Sequence, residues 1–131
     1  MKHVVGGALF NDGRLLVVKR TEDRPVWPGL WEISGGKLEP NENDEQAIKR
    51  EFQEETNLKI KVVKKYFSFE YDYAGNKAIE NDYIVESDNL EIKIDPNEHT
   101  EYRWVTRPEV KALKMSPGMR RSVEKVFDEK G

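Results

Sequence analysis

Two short apolar, β-rich runs open the chain, residues 4–10 and 14–20, joined by Asn11-Asp12-Gly13. An Asp-Gly pair between apolar runs predicts a β-hairpin. Residues 21–30 carry Pro25, Pro28 and Gly29 amid charges, which predicts a loop. Trp31, Ile33 and their neighbours predict a short strand, and residues 34–41, glycine-rich at their start, a second loop. Residues 44 to about 56 have helical periodicity. Asn43 is placed to cap them, Gln46 to complete a capping box, and Asn57 to end them in a left-handed cap. Residues 60–73 and 83–86 predict strands around a turn at Ala74-Gly75-Asn76, and 102–105 one more. Pro108 opens a short helix through Leu113. A last amphipathic helix follows Pro117, with Met119, Val123, Val126 and Phe127 on one side.

Composition narrows this to one mixed α/β domain spanning residues 1–131. The hydrophobic share is 37%, the charged share 36% and the net charge −3, with both signs interspersed. No global field draws the chain to nucleic acid or to an anionic membrane, so neither a membrane nor an extended nucleic-acid surface is an expected partner. The absence of cysteine (Cys 0) excludes disulfides, thiolate metal sites and a cysteine nucleophile, and suits a reducing compartment. The first residues do not read as a signal peptide, and no stretch approaches the roughly 20 apolar residues that span a bilayer. The expected location is the cytoplasm. No internal repeat or low-complexity tract is present.

The helix carries the candidate chemistry. With Arg50 at 0° and about 100° per residue, Glu54 falls near 40°, Glu51 near 100° and Glu55 near 140°, beside a buried stripe of Ile48 and Phe52 near 160° and 200°. Three carboxylates thus share one arc at the rim of the core. Like charges at these spacings repel by a few tenths of a kcal/mol per pair in water, and more where water is excluded. A solvated charged face would tolerate that cost. A divalent cation would remove it, and oxygen-only ligands suit Mg²⁺ or Mn²⁺.

The order of residues favours the cation. From Gly36 the sequence runs GGKLEPNENDEQAIKREFQEETNL when read with Gly35, and it resembles the Nudix box, G-x5-E-x7-R-E-U-x-E-E-x-G-U with U a bulky apolar residue. The matches are Gly36, Glu42, Arg50, Glu51, Phe52, Glu54, Glu55 and Leu58. The family's second glycine is Asn57 here, and Asn tolerates the same cap conformation. A chance match with one miss is on the order of 10⁻⁴ or rarer from residue frequencies. The resemblance implies the Nudix α/β/α sandwich with a mixed central sheet, and the predicted element order fits it.

It also implies roles. Glu51 and Glu55 would be direct Mg²⁺ ligands, Glu54 would serve a further ion or a bound water, and the backbone carbonyl of Gly35 would join them. Arg50 would hold the box acids in register, with Gly36 and Glu42 in support. Glu98, six residues before Trp104, is similar to the segment that supplies a further acid or base in MutT-type members. Arg20 and Lys37 are candidate phosphate contacts, and each could equally be solvated surface. His99 reads as an incidental surface residue. Trp27, Phe69, Tyr71, Tyr73 and Tyr83 could stack a nucleobase, although core packing accounts for most of them equally well.

The activity implied is Mg²⁺-dependent hydrolysis of a nucleoside diphosphate linked to another moiety. ADP-ribose pyrophosphatases often carry a proline about sixteen residues beyond the box, where Ala74 stands here. The short MutT-type pattern remains, which splits a nucleoside triphosphate into monophosphate and pyrophosphate, a reaction suited to nucleotide-pool sanitation. ADP-ribose, dinucleoside polyphosphates and RNA 5′ ends are the alternative substrates, and a nucleotide-sensing domain without turnover is the alternative class. The reading leaves room for a homodimer.

Overall fold

The computed structural model describes residues 1–130. In chain order the elements are β1 (Lys2–Asn11), β2 (Arg14–Arg20), β3 (Trp31–Glu32), β4 (Ser34–Lys37), α1 (Asp44–Thr56), β5 (Lys61–Tyr73), β6 (Asn76–Glu86), β7 (His99–Val105), α2 (Arg107–Val110) and α3 (Pro117–Lys130). The predicted hairpin is present, with Asp12 and Gly13 at φ of 54° and 76° in its turn. Its strands pair only near that turn, at Phe10↔Leu15 and Asn11↔Arg14. Upstream, β1 leaves β2 and runs parallel to β6 from Lys2 to Leu9, while residues 4–7 also pair with β4. The sheet is therefore mixed, in the order β3-β2-β1-β6-β5, with β4 on β1 and β7 on β2.

Alternation along the strands sends neighbouring side chains to opposite faces. Ala8, Leu15, Val17 and Ile84 pack with Met119, Val123, Val126 and Phe127 of α3, while Leu9, Leu16 and Val85 pack with Ala47, Ile48 and Phe52 of α1. Helices on both faces explain why β1 and β2 are nearly continuous apolar runs. The result is an α/β/α sandwich. Helix α1 seats directly on β1 at Gly7, where an added Cβ would lie 2.5 Å from the Phe52 ring.

Helix α1 has the predicted bounds. Gln46 N donates to Asn43 Oδ1 at 2.8 Å, and Asn43 N donates to Gln46 Oε1 at 2.9 Å, completing the capping box. Asn57 takes the left-handed conformation at φ 65° and donates its N–H to Gln53 O.

Strand β7 starts at His99 rather than at Tyr102, α2 ends at Val110 rather than at Leu113, and three further expectations change. The start of the second loop is strand β4, because residues 34–37 find the backbone of β1 to pair with. Strand β6 begins at Asn76 rather than near Tyr83, since it runs between β1 and β5 along its whole length. His99 is 1% exposed rather than on the surface. No described helix is long and apolar enough to cross a membrane.

Candidate active site

Strand β4 and helix α1 meet edge to edge, and their contact brings most of the box residues together. Arg50 is the hub. Its Nε and Nη2 donate to the two oxygens of Glu42 at 2.7 and 2.9 Å, and its Nη1 donates to Glu51 Oε1 at 2.7 Å and Glu54 Oε1 at 2.9 Å. Nη2 also donates to the Lys37 carbonyl at 3.0 Å, which ties the helix to the end of β4. Planar, forked donors hold carboxylates in fixed orientation in a way that a point charge does not. The Arg50 bond, the largest influence, draws the Glu42 carboxyl down to about 2, and the acids in turn push Arg50 up.

Beyond Arg50 the acids become buried. Glu55, 5% exposed, accepts at Oε1 from Ser34 Oγ at 2.6 Å and from Gly35 N at 3.3 Å. Its Oε2 takes no hydrogen bond from an N–H or hydroxyl of the described residues, and neither does Oε2 of Glu51. The two carboxyls lie within hydrogen-bond reach of each other. Burial, the leading cause for both, pushes the Glu51 and Glu55 carboxyls upward, and each lies close enough to affect the other. Gly35 is the glycine that packing demands, because a Cβ there would sit 2.0 Å from the Val5 carbonyl oxygen. At Gly36 a Cβ would sit 2.5 Å from the Glu51 carboxyl, which would have to move aside.

This donor set fits a hard divalent cation. It is all oxygen, it presents two carboxylates each with a free lone-pair face, and their closeness raises the energy of both charges until something positive intervenes. Among the described residues no three acids converge tightly enough to form a shell from side chains alone. Mg²⁺ does not require that, since it keeps several waters and takes one or two carboxylates with substrate phosphates.

The acids line a cavity of about 300 Å³. Gly35, Gly36, Lys37, Glu51 and Glu55 line it together with the aromatic side chains Trp27, Phe69, Tyr71 and Tyr73. Phe69, Tyr71 and Tyr73 run down one face of β5 with successive ring centroids 5.6 and 6.3 Å apart. Lys37 Nζ lies 4.4 Å from the Tyr73 ring. Tyr83 is not part of this group: it donates to Asp44 Oδ2 at the start of α1. Glu54 lies outside the cavity lining, with its side chain 56% exposed. Glu98 is at the rim, paired with Arg24.

Arg20 lines the cavity and is not solvated surface. It is 9% exposed, and its guanidinium donates to the Val26 carbonyl at 3.1 and 2.8 Å and to Glu32 at 3.1 and 3.3 Å. His99 Nε2 lies 2.9 Å from Glu32 Oε2, on the other side of the same carboxylate. These partners draw the Glu32 carboxyl below its ordinary value although burial, the largest single influence, raises it. Arg20 and Glu32 line the cavity with His99 buried behind Glu32, and Glu32 is the member that sequence reasoning missed. The signal available was Glu32 alternating with Trp31 and Ile33 in a strand leading to the box.

Residues 1–126 match the family model described as NUDIX domain. The nucleoside triphosphatase NudI of Escherichia coli strain K12 is 37% identical over 118 residues, covering 81% of this chain and 82% of that protein. Among solved structures, the MutT protein of Methanosarcina mazei Go1 superposes with a TM-score of 0.86 at 24% identity, over 98% of this chain and 94% of that one. The NUDIX domain of Shewanella oneidensis NrtR, solved with ADP ribose, does so at 0.78 and 18%, over 98% and 88%. With the box acids gathered around Arg50 on α1, opposite a glycine strand in an α/β/α sandwich, and with the family match running through nearly the whole sequence, the chain belongs to the Nudix family, whose members are generally dependent on a divalent metal.

Proposed function

We propose that this chain is a pyrophosphohydrolase that cleaves a nucleoside triphosphate to the monophosphate and pyrophosphate, acting in the cytoplasm as one domain, with Mg²⁺ or in its place Mn²⁺. One observation carries the reading. Glu51 and Glu55 each keep one carboxylate oxygen that no N–H or hydroxyl of the described residues occupies, and both acids line one cavity together with Trp27, Phe69, Tyr71 and Tyr73. A polyphosphate suits the acids only with cations present, and a base suits the aromatic side chains, where stacking contributes about 1–3 kcal/mol. The likeness to NudI supports the triphosphate class.

In this reading Glu51, Glu55 and the Gly35 carbonyl hold the ion, and Glu54 holds a further ion or a water. When bound, the ion neutralises phosphate oxygens and acidifies a water molecule. Arg50, supported by Glu42, fixes the direction of Glu51 and Glu54, and Gly36 lets β4 approach them. Glu98 is the candidate general base, freed from Arg24 when substrate arrives, and its alternative role is a further ligand. Lys37 meets the phosphate chain. Arg20, held by Glu32 and the Val26 carbonyl, lines the cavity and is a further candidate phosphate contact.

The test is a panel of ribo- and deoxynucleoside triphosphates, ADP-ribose, a dinucleoside polyphosphate and 5′-triphosphorylated RNA, with products resolved by ion-exchange chromatography. Monophosphate and pyrophosphate are expected from triphosphates. Chelation should abolish turnover and Mg²⁺ should restore it. Glu51→Gln should lower kcat by at least about 10²-fold with an unchanged circular dichroism spectrum. Orthophosphate as the product, turnover confined to ADP-ribose, or full activity in Glu51→Gln would overturn the reading.

A further inference from the structure

Two acids on β6 take no part in the box. Glu80 and Asp82 are two residues apart and share an inward strand face with Ala78 and Ile84. Glu80 lies beside Val4 of β1 and Phe69 of β5, and Asp82 beside Gly6 and Phe67. They are 7% and 0% exposed. A Cβ built on Gly6 would be 2.6 Å from Asp82 Oδ1 and 3.0 Å from Glu80 Oε2, so the two carboxyls converge beneath the β1 backbone.

Their partners differ. Asp82 Oδ2 accepts from Ser122 Oγ at 2.5 Å, and that hydroxyl also meets Tyr66 OH at 2.7 Å. Asp82 Oδ1 is buried with no donor among the described residues. Burial, followed by mutual repulsion for Glu80, pushes both carboxyls upward. A proton on Glu80 directed at Asp82 Oδ1 satisfies that atom and relieves the repulsion. The nearest guanidinium, Arg20, is already engaged by Glu32 and Val26. Glu80 lines the cavity next to Phe69, more than nine-tenths buried, and accepts no hydrogen bond from a described donor.

A carboxyl whose proton is committed to Asp82 turns a bare lone pair toward the cavity. Such an acceptor gains from an N–H on the ligand and repels a carbonyl oxygen in the same place. Leaving it unpaired costs more than a missing methyl group would, so it discriminates strongly.

We propose that Glu80, positioned by Asp82, is a specificity-determining residue that accepts a hydrogen bond from the exocyclic amino group of the nucleobase, so that amino-bearing bases are taken in preference to their keto counterparts. The proposal rests on the nucleotide-hydrolase reading and deepens it by naming which bases enter. Phe69 stacks the ring, Glu80 reads its edge, and the acids of α1 face the phosphates.

Matched substrates test it: dCTP against dUTP, and dATP against dITP. Each pair differs by amino against keto and, on the adjacent ring nitrogen, by a bare acceptor against an N–H, so the amino group is read only where Glu80 faces the exocyclic position. In wild type, the amino member should exceed its keto partner in kcat/KM on the order of tenfold or more. Glu80→Met fills the space without an acceptor, and the ratio should collapse toward one. Glu80→Gln should restore it, because its amide N–H can donate to Asp82 while its carbonyl faces the cavity. Thermal melting of each variant separates a folding defect from a lost contact. Equilibrium binding of the four α,β-methylene analogues to wild type reads the same preference without turnover, so it holds even if Glu80→Met does not fold. A wild-type ratio near one with normal turnover would overturn the role of Glu80 alone, as would equal losses for both pair members in Glu80→Met. Amino-selective binding without hydrolysis would instead break the hydrolase reading and leave this one standing. Binding of none of the four would end both.

Discussion

The rim of α1 and the floor made by β6 each hold two carboxyls side by side, Glu51 with Glu55 and Glu80 with Asp82, and burial raises all four. Their surroundings then divide them. At the rim, Arg50, Ser34 and the Gly35 amide each hold one oxygen and leave another free at the cavity. On the floor, the only described side-chain donor is the Ser122 hydroxyl, and the β1 backbone closes over the pair at Gly6. A proton can be exchanged for a cation where the cavity reaches both acids. It stays where the cavity reaches only Glu80 and Asp82 lies buried beneath β1. Identical functional groups therefore serve as an ion site in one place and as a neutral recognition edge in the other, and what decides is access and donor supply.

The sharpest way to break this contrast is Glu55→Gln. The amide keeps an oxygen for Ser34 Oγ but loses the charge, so kcat should fall roughly 10²- to 10³-fold. In metal-free protein the same change should leave the melting temperature equal or higher, since a carboxyl whose burial is unfavourable has been removed; a gain of about 1 kcal/mol is in the usual range for such a trade. Calorimetry beside steady-state kinetics reads both. Full turnover, or a marked loss of metal-free stability, would mean that the rim acids are as structural as the floor acids.

Arg50 gives the next largest effect. Arg50→Met leaves Glu42, Glu51 and Glu54 facing one another without a shared donor and should lower unfolding stability by about 2 kcal/mol, read by urea titration. Arg50→Lys restores charge but not the fork and should recover about half of that. If lysine proved equal to arginine, a point charge would suffice, and the rim would differ from the floor in net charge alone.

The rim was legible in the sequence because its signal is local. A capped helix of known period places Arg50, Glu51, Glu54 and Glu55 on one arc without reference to the rest of the chain. The floor was not, for a physical reason. Glu80 and Asp82 occupy inward positions of a strand, where alternation leads one to expect apolar residues, so residues 77–82 carry no strand signal and only the end of β6, 83–86, is visible. The pairings that make it a strand come from β1 and β5, remote in sequence. The same holds for His99 and Arg20, whose burial depends on Glu32 reaching both across the β2–β3 contact. Phe69 and Tyr71 were legible as one face, but the cavity that gives the face a purpose needs Trp27 from a distant loop.

The smallest effect concerns acid stability, where Glu42, the partner of Arg50 beside the rim, and the floor pair have opposite signs. Glu42 binds the Arg50 fork with both oxygens and also accepts from Glu39 N at 2.8 Å, and its carboxyl titrates at about 2 instead of 4.5. Between those values the unfolded chain binds the proton and the folded chain does not, so the contribution of Glu42 is complete above about 4.5 and is lost as pH falls toward 2. For Glu80 and Asp82 the folded chain keeps a proton that the unfolded chain releases. Their contribution is complete at low pH and declines as pH rises out of the ordinary carboxylate range. Glu42→Gln should therefore flatten the acid limb of a stability–pH curve measured by urea unfolding and leave its slope above pH 5 unchanged. An acid limb as steep as that of the wild type would assign acid sensitivity to another group and remove Arg50 as the source of the difference between the two acid clusters.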